Sequence, residues 1–115
     1  MTFTVASCPV DLQEALGRTG DDRDFFLELL DLFLGDTGDQ LGSLRRAVAT
    51  GDSATVVSVS HAMKGAAANL AAARVREAAL AIEKSGREGA VSALDPLIDR
   101  LAAEIAVLRE YRATL

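Results

Sequence analysis

Apolar residues recur at three- and four-residue spacing along nearly the whole chain, and nowhere alternate as they would along a strand. Pro9 suits the first turn of a short helix ending near Gly17, and Thr19-Gly20 reads as a turn. Asp21 or Asp22 then caps a long helix reaching Thr50, with Phe26, Leu30, Phe33, Thr37, Leu41, Leu44 and Val48 on one stripe. Gly35, Gly38 and Gly42 weaken that helix, so a bend or frayed turn is expected near Gly35-Asp36. Its first half is greasier than one seam requires. Phe25, Leu27, Leu29, Leu32 and Leu34 lie off the stripe; most are expected to pack on the short helix and the bundle, the alternative being that some complete a docking patch beside His61.

Gly51 stops the long helix, and Asp52-Ser53 caps a third. The next boundary, at Ala71-Ala72-Ala73, offers neither a glycine nor a capping side chain. A fourth helix carries Val75, Ala79 and Ile82 and is expected to end in a Ser85-Gly86 to Gly89 loop. The last carries Leu94, Ile98, Leu101, Ile105 and Leu108; Ser92 or Asp95 caps it, with Pro96 favouring Asp95. Four longer helices joined by short loops predict an all-α fold, an up-down-up-down four-helix bundle with a short extra N-terminal helix. The bundle is expected to be one domain over 9–115, with residues 1–8 a loose lead-in.

The third helix holds the chain's single histidine, His61. On a wheel of 100° per residue, Val56, Val59, Ala66, Met63 and Leu70 fall within about a quarter of the circumference, and His61, Lys64, Gly65 and Ala68 centre roughly 180° away. If the first set is buried, the histidine looks outward. Its neighbours there, Ala54, Val57, Gly65, Ala68 and Ala72, are small or apolar where Glu and Lys would be usual. A smooth face of that kind lets another protein's backbone come close, which makes Val57, Gly65 and Ala68 candidate docking residues. Gly65 is the sharpest sign, since a mid-helix glycine costs about 1 kcal/mol relative to alanine.

A neutral imidazole is a nucleophile with a lone pair already available, so phosphorylation at a ring nitrogen needs no separate base. Lys64, one turn along, can stabilise the incoming phosphoryl oxygens as a flexible point charge. His61 is therefore the candidate phosphoacceptor and Lys64 the candidate phosphate-stabilising residue.

These residues resemble the histidine-containing phosphotransfer (HPt) domains of bacterial, fungal and plant phosphorelays. The resemblance rests on His61-Ala-Met-Lys64-Gly65-Ala66-Ala67-Ala68-Asn69-Leu70, with Asp24-Phe25-Phe26 to Phe33 similar to the family's second helix and Ala49-Thr50-Gly51-Asp52 to its turn before the histidine helix. It covers essentially Val10 to Leu115. It departs at one point: the family usually has a glycine ten residues after the histidine, and this chain has Ala71. The resemblance implies that His61 accepts a phosphoryl group from a receiver-domain aspartate and passes it to another. Response-regulator receivers and hybrid sensor histidine kinases are the partners it implies, and Mg²⁺ would come from the receiver. The chain itself would then be a carrier, with no cofactor and no kinase activity of its own.

Composition narrows the alternatives. A chain of 115 residues, half of them hydrophobic, can bury one core. A formal net charge of −5 opposes nucleic acid and anionic membrane surfaces as partners and favours a protein. No stretch reaches the roughly 18 apolar residues of a membrane span. One cysteine and one histidine give neither an intramolecular disulfide nor a plausible zinc set, which fits a reduced cytoplasmic setting. There is no glycine-rich phosphate loop and no acidic cluster suited to Mg²⁺. A monomer is expected. The competing reading is a helical adapter or dimerisation bundle in which His61 is incidental.

Overall fold

The computed structural model describes Phe3 and residues 7–115. Most of the expected lead-in over 1–8 lies outside the described residues. Five helices and no strand are present among them: α1 (Leu12–Arg18), α2 (Arg23–Thr50), α3 (Ser53–Asn69), α4 (Ala73–Arg87) and α5 (Asp95–Ala113). Each long helix packs on the next and α5 closes back on α2, which makes the up-down-up-down bundle, with α1 laid against α2.

Aspartate side chains start three of the helices. Asp11, Asp22 and Asp52 accept from the backbone N–H groups of Glu14, Phe25 and Thr55, filling donors the first turn leaves unpaired. Asp11 rather than Pro9 therefore begins α1, because only the aspartate offers an oxygen to the exposed N–H groups. Asp22 caps α2, while Asp21 sits in the preceding turn with φ +63°. Neither Ser92 nor Asp95 caps α5. Leu94 occupies that position, and Asp95 and Pro96 form the first turn.

The core lies between the four long helices, around Phe26, Leu30, Leu44, Met63, Ile82, Leu94, Ile98, Leu101 and Leu108. The α2 stripe behaves as expected, apart from Leu41 and Val48, which are half-buried. No frayed turn forms at Gly35-Asp36: α2 is unbroken for 28 residues. Beside those glycines the buried Thr37 hydroxyl donates to the Leu34 carbonyl at 2.9 Å, and Arg109 Nη2 of α5 donates to the same oxygen at 2.7 Å. Of the off-stripe residues, Leu34 is buried, Leu27 and Leu29 pack at the edge of the core, and Phe25 and Leu32 face outward.

The unmarked boundary after α3 is closed by backbone geometry. Ala72 N–H donates to Ala67 O at 2.9 Å and Ala71 N–H to Ala68 O at 3.1 Å, the paired bonds of a Schellman turn. That turn needs a left-handed residue, and Ala71 supplies it with φ +52°. The Ala71 carbonyl then accepts from Asp11 N–H at 3.1 Å, tying the start of α1 to this turn.

Candidate functional site

The buried seam of α3 consists of Val56, Ser60, Met63 and Ala67. It is rotated by roughly 50° from the set of large apolar residues. The reason is Ser60, which can be buried because its hydroxyl donates to Val56 O at 2.6 Å within its own helix. Val59 and Ala66 are consequently half-buried. The rotation turns the flank bearing Val57 and Lys64 towards α4 and leaves His61 and Gly65 facing outward.

On α4 the facing residues are Gly86 and, one turn earlier, Glu83. Gly86 still belongs to the helix, not to the expected loop, because it is buried against α3. A Cβ there would lie 2.9 Å from Val56 Cγ1 and 3.0 Å from Val57 Cγ2. The absent side chain lets the two helices approach closely, and this proximity brings Glu83 beneath the histidine.

The Glu83 side chain is 3% exposed and holds three partners. Lys64 Nζ donates to Oε1 at 2.6 Å, while His61 Nδ1 meets Oε2 at 2.7 Å and Arg87 Nη2 donates to Oε2 at 2.9 Å. Chiefly through the Lys64 hydrogen bond, helped by Arg87 and His61 and opposed by burial, its carboxyl is held at about 2 against an ordinary 4.5. It is ionised at neutral pH and can only accept. Nδ1 must then carry the hydrogen of this contact, which leaves the lone pair of a neutral ring on Nε2. The His61 side chain is 63% exposed. The arrangement thus presents a fixed imidazole, nucleophilic nitrogen free, flanked by two cations whose charge is partly held by one carboxylate.

The Hpt domain family matches residues 28–111, which include the whole of this cluster. The chain belongs to that family. The structure is also similar to histidine-containing phosphotransfer protein B from Pseudomonas aeruginosa PAO1, with TM-score 0.83 and 25% identity over 92% of each chain. An HPT domain from a sensor hybrid histidine kinase of Shewanella shares the fold, with TM-score 0.75 and 20% identity over 93% of this chain and 96% of that one. No curated protein matches the chain significantly. The protein is a histidine phosphotransfer intermediate of a phosphorelay.

Within this Hpt domain the residues singled out from the sequence do not all share one surface. His61 and Lys64 meet at Glu83, and Gly65 is exposed with open space where a Cβ would stand. Val57 is half-buried beside Gly86, so much of it faces α4 and not a partner. Ala68, also half-buried, lines a cleft between α1 and the α3–α4 turn that does not include His61. Ala72 is fully buried as the residue before α4, and does not belong to the exposed face. Among the described residues no group of three His, Cys, Asp or Glu is placed to hold a metal ion, and no helix is long and apolar enough to cross a membrane.

Glu83 and Arg87 do not emerge from the sequence as site residues. The signal for Glu83 is present all the same: it lies four residues after Ala79 and eight after Val75, so an acid stands on an apolar stripe. Arg87 follows one turn later.

Proposed function

We propose that His61 Nε2 is the phosphoacceptor. In loading, Nε2 attacks the phosphorus of a receiver aspartyl phosphate; an N–P bond forms, the P–O bond breaks, and the aspartate leaves with the electron pair. Unloading to a second receiver is the reverse, with the pair returning to Nε2. The observation that carries this reading is the 2.7 Å contact between Nδ1 and an ionised, buried carboxylate, which directs the free lone pair outward on an exposed ring. Lys64 is 28% exposed, long and flexible, and can turn from Glu83 towards the arriving oxygens, where its charge counts in the transition state.

The partners in this reading are response-regulator receivers and hybrid sensor kinases, which dock over exposed Gly65 and the outward edges of Val57 and Ala68. Mg²⁺ and the remaining chemistry reside on the receiver, so the chain acts as a carrier rather than an enzyme. It works as a cytoplasmic monomer, with neither nucleic acid nor membrane as a partner, in keeping with its charge of −5. Mixing the protein with a phosphorylated receiver tests the reading: label should move to this chain and be acid-labile and base-stable. Label that stays on the receiver would leave the helical adapter as the better account.

A further inference from the structure

A phosphorylated imidazole has two forms with very different leaving ability. While Nδ1 keeps its proton, the ring bearing phosphate on Nε2 is a cation, and breaking the N–P bond releases a neutral imidazole. Once that proton is lost, the same cleavage must expel an imidazolate anion, a far poorer leaving group. Whatever fixes the proton on Nδ1 therefore decides whether the carried group remains transferable. In this protein that position faces a carboxylate.

We propose that Glu83 is a positioning residue whose negative charge keeps the proton on His61 Nδ1 after Nε2 is phosphorylated, and so keeps the phosphoryl group transferable. This rests on the carrier reading above. An opposite charge in direct contact favours the cationic ring; here the distance is 2.7 Å, and although the ring itself is 63% exposed, the Glu83 side chain that faces it is only 3% exposed. Through both transfers the proton stays between Nδ1 and Glu83, and none needs to enter or leave.

The other charges around the ring do not cancel this. Lys64 from α3 and Arg87 from α4 both hold the same carboxylate, and as cations they oppose protonation of the ring. The phosphoryl group, with a charge of about −1.5 to −2, offsets them once it is in place. From α2, the other helix packed on α3, no side chain bonds to the cluster among the described residues. Its Arg45 pairs with Asp99 and its Arg46 bonds to Ser43. Glu83 is the one acid in direct contact with the ring among the described residues.

The test compares the native protein with Glu83→Gln, both loaded with the small-molecule donor phosphoramidate so that no receiver is involved. The amide oxygen of glutamine can still accept from Nδ1–H and hold the ring, but it carries no charge. The readouts are the hydrolysis rate of the N–P bond against pH and the ¹⁵N shifts of the loaded ring. The pH midpoint below which the bond is labile should fall by about one to three units in the variant. Above the native midpoint the variant's phosphate should outlive the native one by about tenfold per unit of separation. An unchanged midpoint would show that Glu83 only orients the ring and would overturn the proposal. If the variant fails to fold, the native loaded ring decides alone: its ¹⁵N midpoint should lie above that of free phosphohistidine, and a midpoint equal to or below it would overturn the proposal. Failure of the loaded native protein to exchange with any receiver would sink the carrier reading and leave this midpoint untouched.

Discussion

Replacing Gly65 by leucine separates what a partner requires from what the helix prefers. The position lies in the middle of α3, is exposed, and has no neighbouring atom within 4 Å of where a Cβ would stand. Leucine is among the better helix formers and glycine among the worst, so the exchange should stabilise the isolated domain by roughly 0.8 kcal/mol. For a domain of this size that raises the melting temperature by about 3 °C. Yet the new side chain stands one turn from His61, where a receiver must bring its aspartyl phosphate within bonding distance of Nε2. Transfer should fall at least about tenfold, equivalent to roughly 1.4 kcal/mol of lost docking or transition-state energy. Gly65→Ala is the control, since it gains similar helix propensity with one methyl of bulk and should retain most of the transfer. Thermal unfolding followed by circular dichroism, alongside a timed transfer assay, measures both quantities. A melting temperature several degrees lower for Gly65→Leu would mean that the position is packed, and full transfer would mean that no partner approaches there.

Gly86→Ala should act in the opposite sense: its Cβ meets the stiff, buried Val56 at 2.9 Å, and overpacking of about 1–3 kcal/mol outweighs a propensity gain of about 1 kcal/mol, lowering the urea midpoint. Ala71→Gly should stabilise by roughly 0.5 kcal/mol, because the left-handed conformation at φ +52° costs alanine about 1–2 kcal/mol and glycine gives back part of that in chain entropy; an unchanged or lower melting temperature would refute it. Glu83 has a depressed carboxyl, so the stability it contributes is complete above its ordinary value of 4.5 and is lost as pH falls through about 2; acid titration of native protein should show this loss, and Glu83→Gln should flatten it.

The helix count and the bundle were legible because the α2 stripe and the α5 stripe repeat at helical spacing with little interruption. Asp22, Gly51 and Asp52 marked their boundaries for an equally local reason, a side-chain oxygen or a left-handed turn. The end of α3 was hidden because its stop is made by backbone bonds around an alanine, which no local preference announces. His61, Lys64 and Gly65 could be placed outward because their face opposes Met63. What the wheel could not supply was the rotation caused by a buried serine, or the partner helix. Glu83 reaches His61 across 22 positions of sequence only because Gly86 lets α4 approach, and such a contact belongs to the packing of two helices rather than to either one.

Everything in the mechanism depends on phosphate being carried on His61. The decisive experiment incubates native protein and His61→Gln with the same phosphorylated receiver domain, then follows acid-labile, base-stable phosphate on each chain while circular dichroism confirms the fold. Because His61 is exposed, the variant should remain folded with a stability change within about 0.5 kcal/mol. Rapid phosphate uptake is expected on the native chain and none on the variant; a folded variant that still acquires phosphate at the native rate would show that His61 is not the acceptor.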